Sequence, residues 1–252
     1  MFFTALLGGF AAGALGGLLG LGGGVILVPL LSELFHLEQK KAHATSLSII
    51  FFTGLSGALS YLRYGSLPLQ AALWTGIGAL LTCGPGVLLA DRIKEKRLRG
   101  IFGAFLVLVS LTMFYGVLHR QNLGEPAAFH LPSPWVLLLL GAVTGFLSSF
   151  LGVGGGSIDI PIFVLVLHFA QRMAQGVALV VMVPRTFVAS LINLRLRNIR
   201  LDLIPGFVIG VFLGAPSGAW IAHRIPNSYL TRIFAIALFF LGIRYLREIW
   251  RS

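Results

Sequence analysis

Four glycines within five positions occur twice in this chain, at Gly20, Gly22, Gly23 and Gly24 and again at Gly152, Gly154, Gly155 and Gly156. Each glycine costs a helix interior about 1 kcal/mol relative to alanine, so the runs should break any helix that reaches them. An apolar piece follows each run. A helix starting there presents free N–H groups and the positive end of its dipole to the break. Bare backbone of this kind binds anions. The runs therefore offer Gly22, Gly23, Gly24, Gly154, Gly155 and Gly156 as ligands, with Ser157 beside the second. A mechanical reading competes with this one: glycines such as those of Gly16-x-x-x-Gly20 let helices cross closely. A nucleotide-phosphate loop is excluded, because no Gly-Lys-Ser/Thr follows either run.

Two ionisable residues stand near the second run. Arg185 interrupts an apolar segment, and a fixed cation at membrane depth marks a functional site by default. It can neutralise an anionic substrate, pair with Asp159, or extend to an interface. Asp159 follows Gly156 by three residues, where a carboxylate caps a helix start, balances Arg185, or carries a coupling proton. His43 also titrates near neutrality. It opens a stripe of His43, Ser46, Thr53, Gly57 and Ser60 that spans an arc of about 100° on a helix. Thr45 and Ser46 on this helix, and Gln175 on its counterpart, complete the candidate anion ligands. There is no metal-like cluster, no H-E-x-x-H and no G-x-S-x-G, so neither a cofactor nor catalysis is expected.

The elements that carry these residues must lie in lipid. The 252 residues are 57% hydrophobic and only 11% charged, where a soluble domain has roughly 25% charged residues. Spans of bilayer length, about 20 residues, fall near 2–19, 42–62, 67–90, 100–118, 134–151, 174–194, 201–222 and 230–247. Shorter apolar pieces at 24–36 and 156–169 follow the glycine runs. The net charge of +11 sits mostly between apolar segments, as in membrane proteins, and argues against a nucleic-acid partner. Cys83 is the one cysteine, so no intrachain disulfide can form; it reads as a small buried hydrophobe. The N-terminal apolar run lacks a basic leader and reads as a retained helix.

The two series form one repeat. Pro29 recurs as Pro161, and the same spacing links Gly9 to Gly141, His36 to His168, Arg63 to Arg195 and Phe102 to Phe234. This predicts a first repeat over 1–120, a linker over 121–132 and a second repeat over 133–252. If each half crosses five times, Lys40, Lys41, the basic group at 92–99, Arg195, Arg197, Arg200, Arg244, Arg247 and Arg251 share one side. Arg63, Arg120, Arg172, Arg224 and Arg232 take the other. That asymmetry favours inverted halves, a common plan in transporters.

The motif Gly17-x-x-Gly20-x-Gly22-Gly23-Gly24 with Pro29, repeated as Gly152-x-Gly154-Gly155-Gly156 with Pro161, resembles the signature of the TauE/SafE, or sulfite exporter, family. Ala42 to Leu47 resembles that family's A-x-G-T-S segment with Ala44 in place of glycine; Ala174 to Ala178 keeps Gly176 and lacks Thr-Ser. The resemblance covers essentially the whole chain. It implies transport of small sulfur-containing anions, such as sulfite, thiosulfate or organosulfonates, across a prokaryotic inner membrane.

The expected protein is thus an all-α polytopic membrane protein of two inverted repeats, with about eight to ten transmembrane or re-entrant helices, some broken by glycine. It would be a multi-pass secondary transporter of the inner (plasma) membrane. Its substrate would be a small sulfur oxyanion, an organosulfonate or a sulfur-containing carboxylate. Movement would be by alternating access, with a proton on His43 or Asp159 as the coupling ion. A passive anion channel and a membrane-embedded enzyme or sulfur-relay protein are the rival readings. Its partners would be lipid and the anion, and the small-residue faces can also serve a homodimer.

Overall fold

The computed structural model describes residues 1–64, 67–90, 95–119, 131–151 and 154–251. Gly152 of the second run, Arg92 and Lys94 of the basic group, Arg120, and 121–130 of the expected linker lie outside them. Among the described residues there are ten α-helices and no strand. They are α1 Phe2–Leu19, α2 Gly24–Glu33, α3 Gln39–Tyr64, α4 Leu69–Ala90, α5 Glu95–His119, α6 Pro134–Leu151, α7 Gly156–Leu165, α8 Gln171–Arg195, α9 Ile204–Arg224 and α10 Asn227–Arg251. A 3-10 turn over Leu201–Leu203 leads into α9. Seven helices are long and apolar enough to cross a membrane, counted on the described residues. Their outward faces carry residues such as Leu81, Leu108, Leu139, Leu213 and Phe240, which suits lipid as the surrounding solvent. Cys83 is fully buried.

The predicted spans differ from the helices mainly at their ends. Helices α3 and α8 begin three residues earlier than expected, at Gln39 and Gln171. The short helices stop sooner, at Glu33 and Leu165. His36 and His168 follow them with φ of 50° and 55°. Just beyond, Leu37 N–H donates to Leu31 O at 3.2 Å and Phe169 N–H to Phe163 O at 2.9 Å. Each of these bonds reaches back six residues around a left-handed residue and satisfies a carbonyl left over at the helix end.

Small residues set the packing. Gly9, Gly13 and Gly17 of α1 meet the α9 backbone at Phe207, Val211 and Ala215, while Gly210, Gly214 and Gly218 of α9 meet α1. Numbers rise together, so α1 and α9 are parallel. Gly141 and Gly145 of α6 meet Thr75 and Ala79 of α4 in the same sense. Glycine at every fourth position lets two backbones touch where lipid supplies no hydrophobic drive. A Cβ on Gly13 would lie 2.8 Å from Val211 Cα, with backbone on both sides and no flexible atom to move. Gly13→Leu should therefore lower stability by about 1–3 kcal/mol, read as a lower melting temperature in detergent.

Helices α3 and α8 form the centre and run antiparallel. Ser190 Oγ donates to Ser48 Oγ at 2.6 Å, Gly54 faces Val183, Gly57 faces Leu179, and Tyr61 reaches Gln175. The stripe expected on α3 points inward: Ser46, Thr53 and Ser60 are buried and bond to carbonyls of their own helix.

Candidate functional site

Arg185 is only 1% exposed and sits near the middle of the α3–α8 crossing. Pro184 precedes it. Lacking an N–H, Pro184 leaves the Val180 carbonyl without its helical donor, so polar backbone gathers at this level. The guanidinium reaches α7. Nη2 donates to Asp159 Oδ2 at 2.5 Å and to Gly154 O at 2.9 Å.

The second glycine run makes room for this pair. Gly155 caps the start of α7 with φ of 88° and no side-chain bond, and a Cβ there would fall on the Arg185 guanidinium. Ile158 and Asp159 N–H groups both donate to Gly155 O at 2.8 Å. The N–H groups of Gly156 and Ser157 have no carbonyl before them in the helix. Asp159 lies four residues beyond Gly155, on the same face of α7, and its carboxylate is fully buried. It pairs with Arg185 and makes no capping bond.

Part of this centre is unsatisfied by protein. Arg185 Nε and Nη1 and Asp159 Oδ1 are buried without a hydrogen-bond partner. Most buried polar atoms find one. Unused donors on a buried cation can grip an oxyanion, since charge-assisted hydrogen bonds are the strong ones. Ser157 Oγ is buried and unpartnered as well, but it stands two residues from Asp159, about 200° around α7.

The first run meets the second. A Cβ on Gly156 would lie 2.7 Å from Leu21 Cα, and one on Gly20 2.8 Å from Gln175 Cβ and Ile160 Cδ1. Gly22 packs on Met182 and Ile50, Gly154 also on Ile50, and Gly23 on the Ala12 carbonyl. Gly24 begins α2 and is buried. The runs are thus both tight crossing points and helix starts.

The remaining sequence candidates lie apart from Arg185. Thr45 and Ser46 stand beyond the Ser48–Ser190 contact, toward the start of α3. Thr45 Oγ1 accepts the Arg200 N–H at 3.1 Å, and Ser46 Oγ donates to the carbonyl of half-buried His43 at 2.8 Å. Gln175 lies the other way, ten residues and about 15 Å along α8. Its Oε1 is 2.9 Å from Tyr61 Oη, which is also 3.0 Å from Gly17 O. Sequence reasoning missed Tyr61, Gln171 and Arg172 around it. The spacing of Gln171 and Gln175, one helical turn apart on one face, was the available signal.

The family model described as Sulfite exporter TauE/SafE matches residues 5–245. The chain is 26% identical over 272 residues to the probable membrane transporter protein YunE of Bacillus subtilis, covering 98% of each. It is 29% identical over 197 residues to the probable membrane transporter protein MJ0441 of Methanocaldococcus jannaschii, covering 73% of this chain and 69% of that one. It is 30% identical over 132 residues to the Sulfite exporter TauE/SafE family protein 6 of Arabidopsis thaliana, covering 49% of this chain and 31% of that protein. No solved structure matches.

Proposed function

The chain belongs to the sulfite exporter TauE/SafE family of membrane transporters, and from that premise we propose that it carries a small sulfur-containing anion together with a proton, by alternating access. Sulfite, thiosulfate, an organosulfonate or a sulfur-containing carboxylate is the substrate class. The observation that carries this reading is the pair of unused Arg185 nitrogens in the buried centre.

Charge supplies the coupling. The Arg185–Asp159 pair is neutral as it stands. An added monoanion would leave a net buried charge, which costs several kcal/mol in a low-dielectric interior. A proton on Asp159 removes that charge and releases Arg185 to the anion. Asp159 suits this role better than His43, because Asp159 touches the cation that holds the substrate. The glycine-run amides at the start of α7 offer further donors.

Movement follows from two inverted halves, 1–120 and 133–252. The antiparallel course of α3 and α8 supports inversion. The element bounds support the duplication itself: α1 and α6, α2 and α7, and α5 and α10 are offset by the Pro29-to-Pro161 spacing at both ends. Rocking of one half on the other exposes the centre to each side in turn.

Proteoliposomes loaded with labelled sulfite or thiosulfate test this. Wild type should show saturable counterflow and respond to an imposed proton gradient. Asp159→Asn should keep counterflow exchange and lose the response to the gradient. A gradient response undiminished in Asp159→Asn overturns the coupling, and the absence of flux for every anion of the class overturns the substrate reading.

A further inference from the structure

The start of α8 collects polar atoms that the central site does not use. Gln171, its first residue, is fully buried, and neither its Oε1 nor its Nε2 has a partner. Turning the amide over changes nothing, since both ends are unpaired. Arg172 follows. Its Nη2 donates to Ile225 O at 2.7 Å, its Nε is buried without a partner, and among the described residues it makes no salt bridge. Gln175, one turn on, has an unpartnered Nε2.

The backbone adds to these donors. Helix α8 begins at Gln171 with no side-chain cap from Ala170. One first-turn donor is occupied, as Arg172 N–H reaches Asn227 Oδ1 at 3.3 Å. The remaining first-turn N–H groups lie at the positive end of a 25-residue helix, an arrangement that favours negative charge. Arg172 and Asn227 are half-buried, so the place lies one side chain from the surface.

We propose that this place is a second anion site, in which Gln171 and Arg172 hold a protonated oxyanion about 20 Å along α8 from Arg185. The donors Arg172 Nε, Gln171 Nε2 and Gln175 Nε2 meet the anionic oxygens. Gln171 Oε1 is an acceptor and takes the ligand's own O–H, which selects hydrogensulfite or hydrogencarbonate over chloride. A waiting site at one mouth of an alternating-access carrier would raise the local concentration of anion. The binding chemistry itself is independent of Arg185.

Equilibrium binding of labelled sulfite to the purified full chain, in mildly acid buffer, tests this. Wild type should bind at two sites. Arg185→Gln with Asp159→Asn keeps the centre uncharged and should leave one site. Adding Gln171→Met should weaken that site about tenfold or more. The ligand-free melting temperature should stay level or rise, because two unpaired buried polar atoms are gone. Gln171→Glu is the second variant: its carboxylate suits the positive end of α8 and should exclude the anion.

No binding at all in the Arg185→Gln/Asp159→Asn protein overturns the proposal, as does unchanged affinity when either Gln171 variant is added. The reading of the centre fails separately, when the Arg185→Gln/Asp159→Asn protein binds as wild type and Gln171→Met alone abolishes binding.

Discussion

Arg185→Ala should cost about 3–5 kcal/mol of stability, because it strands the buried Asp159 carboxylate without its partner. Flux should fall about 100-fold or more, the factor that roughly 3 kcal/mol of lost charge-assisted bonding gives. The two effects come apart in the double variant Arg185→Leu/Asp159→Leu. Replacing a buried ion pair by apolar residues of similar size is often neutral or stabilising, so the melting temperature should return toward wild type while flux stays absent. Unfolding in detergent and uptake into proteoliposomes are the two measurements. Wild-type flux in a stable double variant would reduce the pair to a structural role.

Gly155→Ala should have the second largest effect, through geometry alone. The residue has φ of 88°, a region that costs an L-residue roughly 1–2 kcal/mol. The new Cβ would also fall on the Arg185 guanidinium. The cation must leave its bonds to Gly154 O and Asp159, so flux should fall nearly as far as in Arg185→Ala, although every charged group is still present. Gly76→Ala is the control. A Cβ there meets nothing within 4 Å, and stability should hold or rise by up to about 1 kcal/mol. Equal flux in the two alanine variants and wild type would remove Gly155 from the site.

The ion pair was open to sequence reasoning because lipid makes a lone charge expensive. A cation inside an apolar run needs a partner, and Asp159 was the carboxylate beside a helix break. The glycine runs were visible for the same kind of reason, since density of that order defeats a helix locally. The grouping of the polar candidates was less visible. Thr45, Ser46, Gln175 and Arg185 look like one ligand set when placed on two equivalent helices. Antiparallel packing of α3 on α8 separates them, with His43 and Thr45 toward one end and Gln175 toward the other. That packing depends on contacts between residues more than a hundred positions apart, and no local pattern encodes them. The bond of Tyr61 to Gln175 and Gly17, and the seating of Arg185 over Gly155, were hidden for the same reason.

The pairing of α1 with α9 bears on how the protein is made. Gly9 meets Phe207, a separation of roughly 200 residues, which a ribosome covers in about 10–40 s at 5–20 residues per second. Throughout that interval the small-residue face of α1 sits in the bilayer against lipid or a passing helix, while α4 finds α6 in roughly a third of the time. Of these two long-range glycine pairings, α4 with α6 therefore becomes available well before α1 with α9. The α9-facing glycine ladder of the helix made first is thus the surface that quality control in the membrane would meet longest.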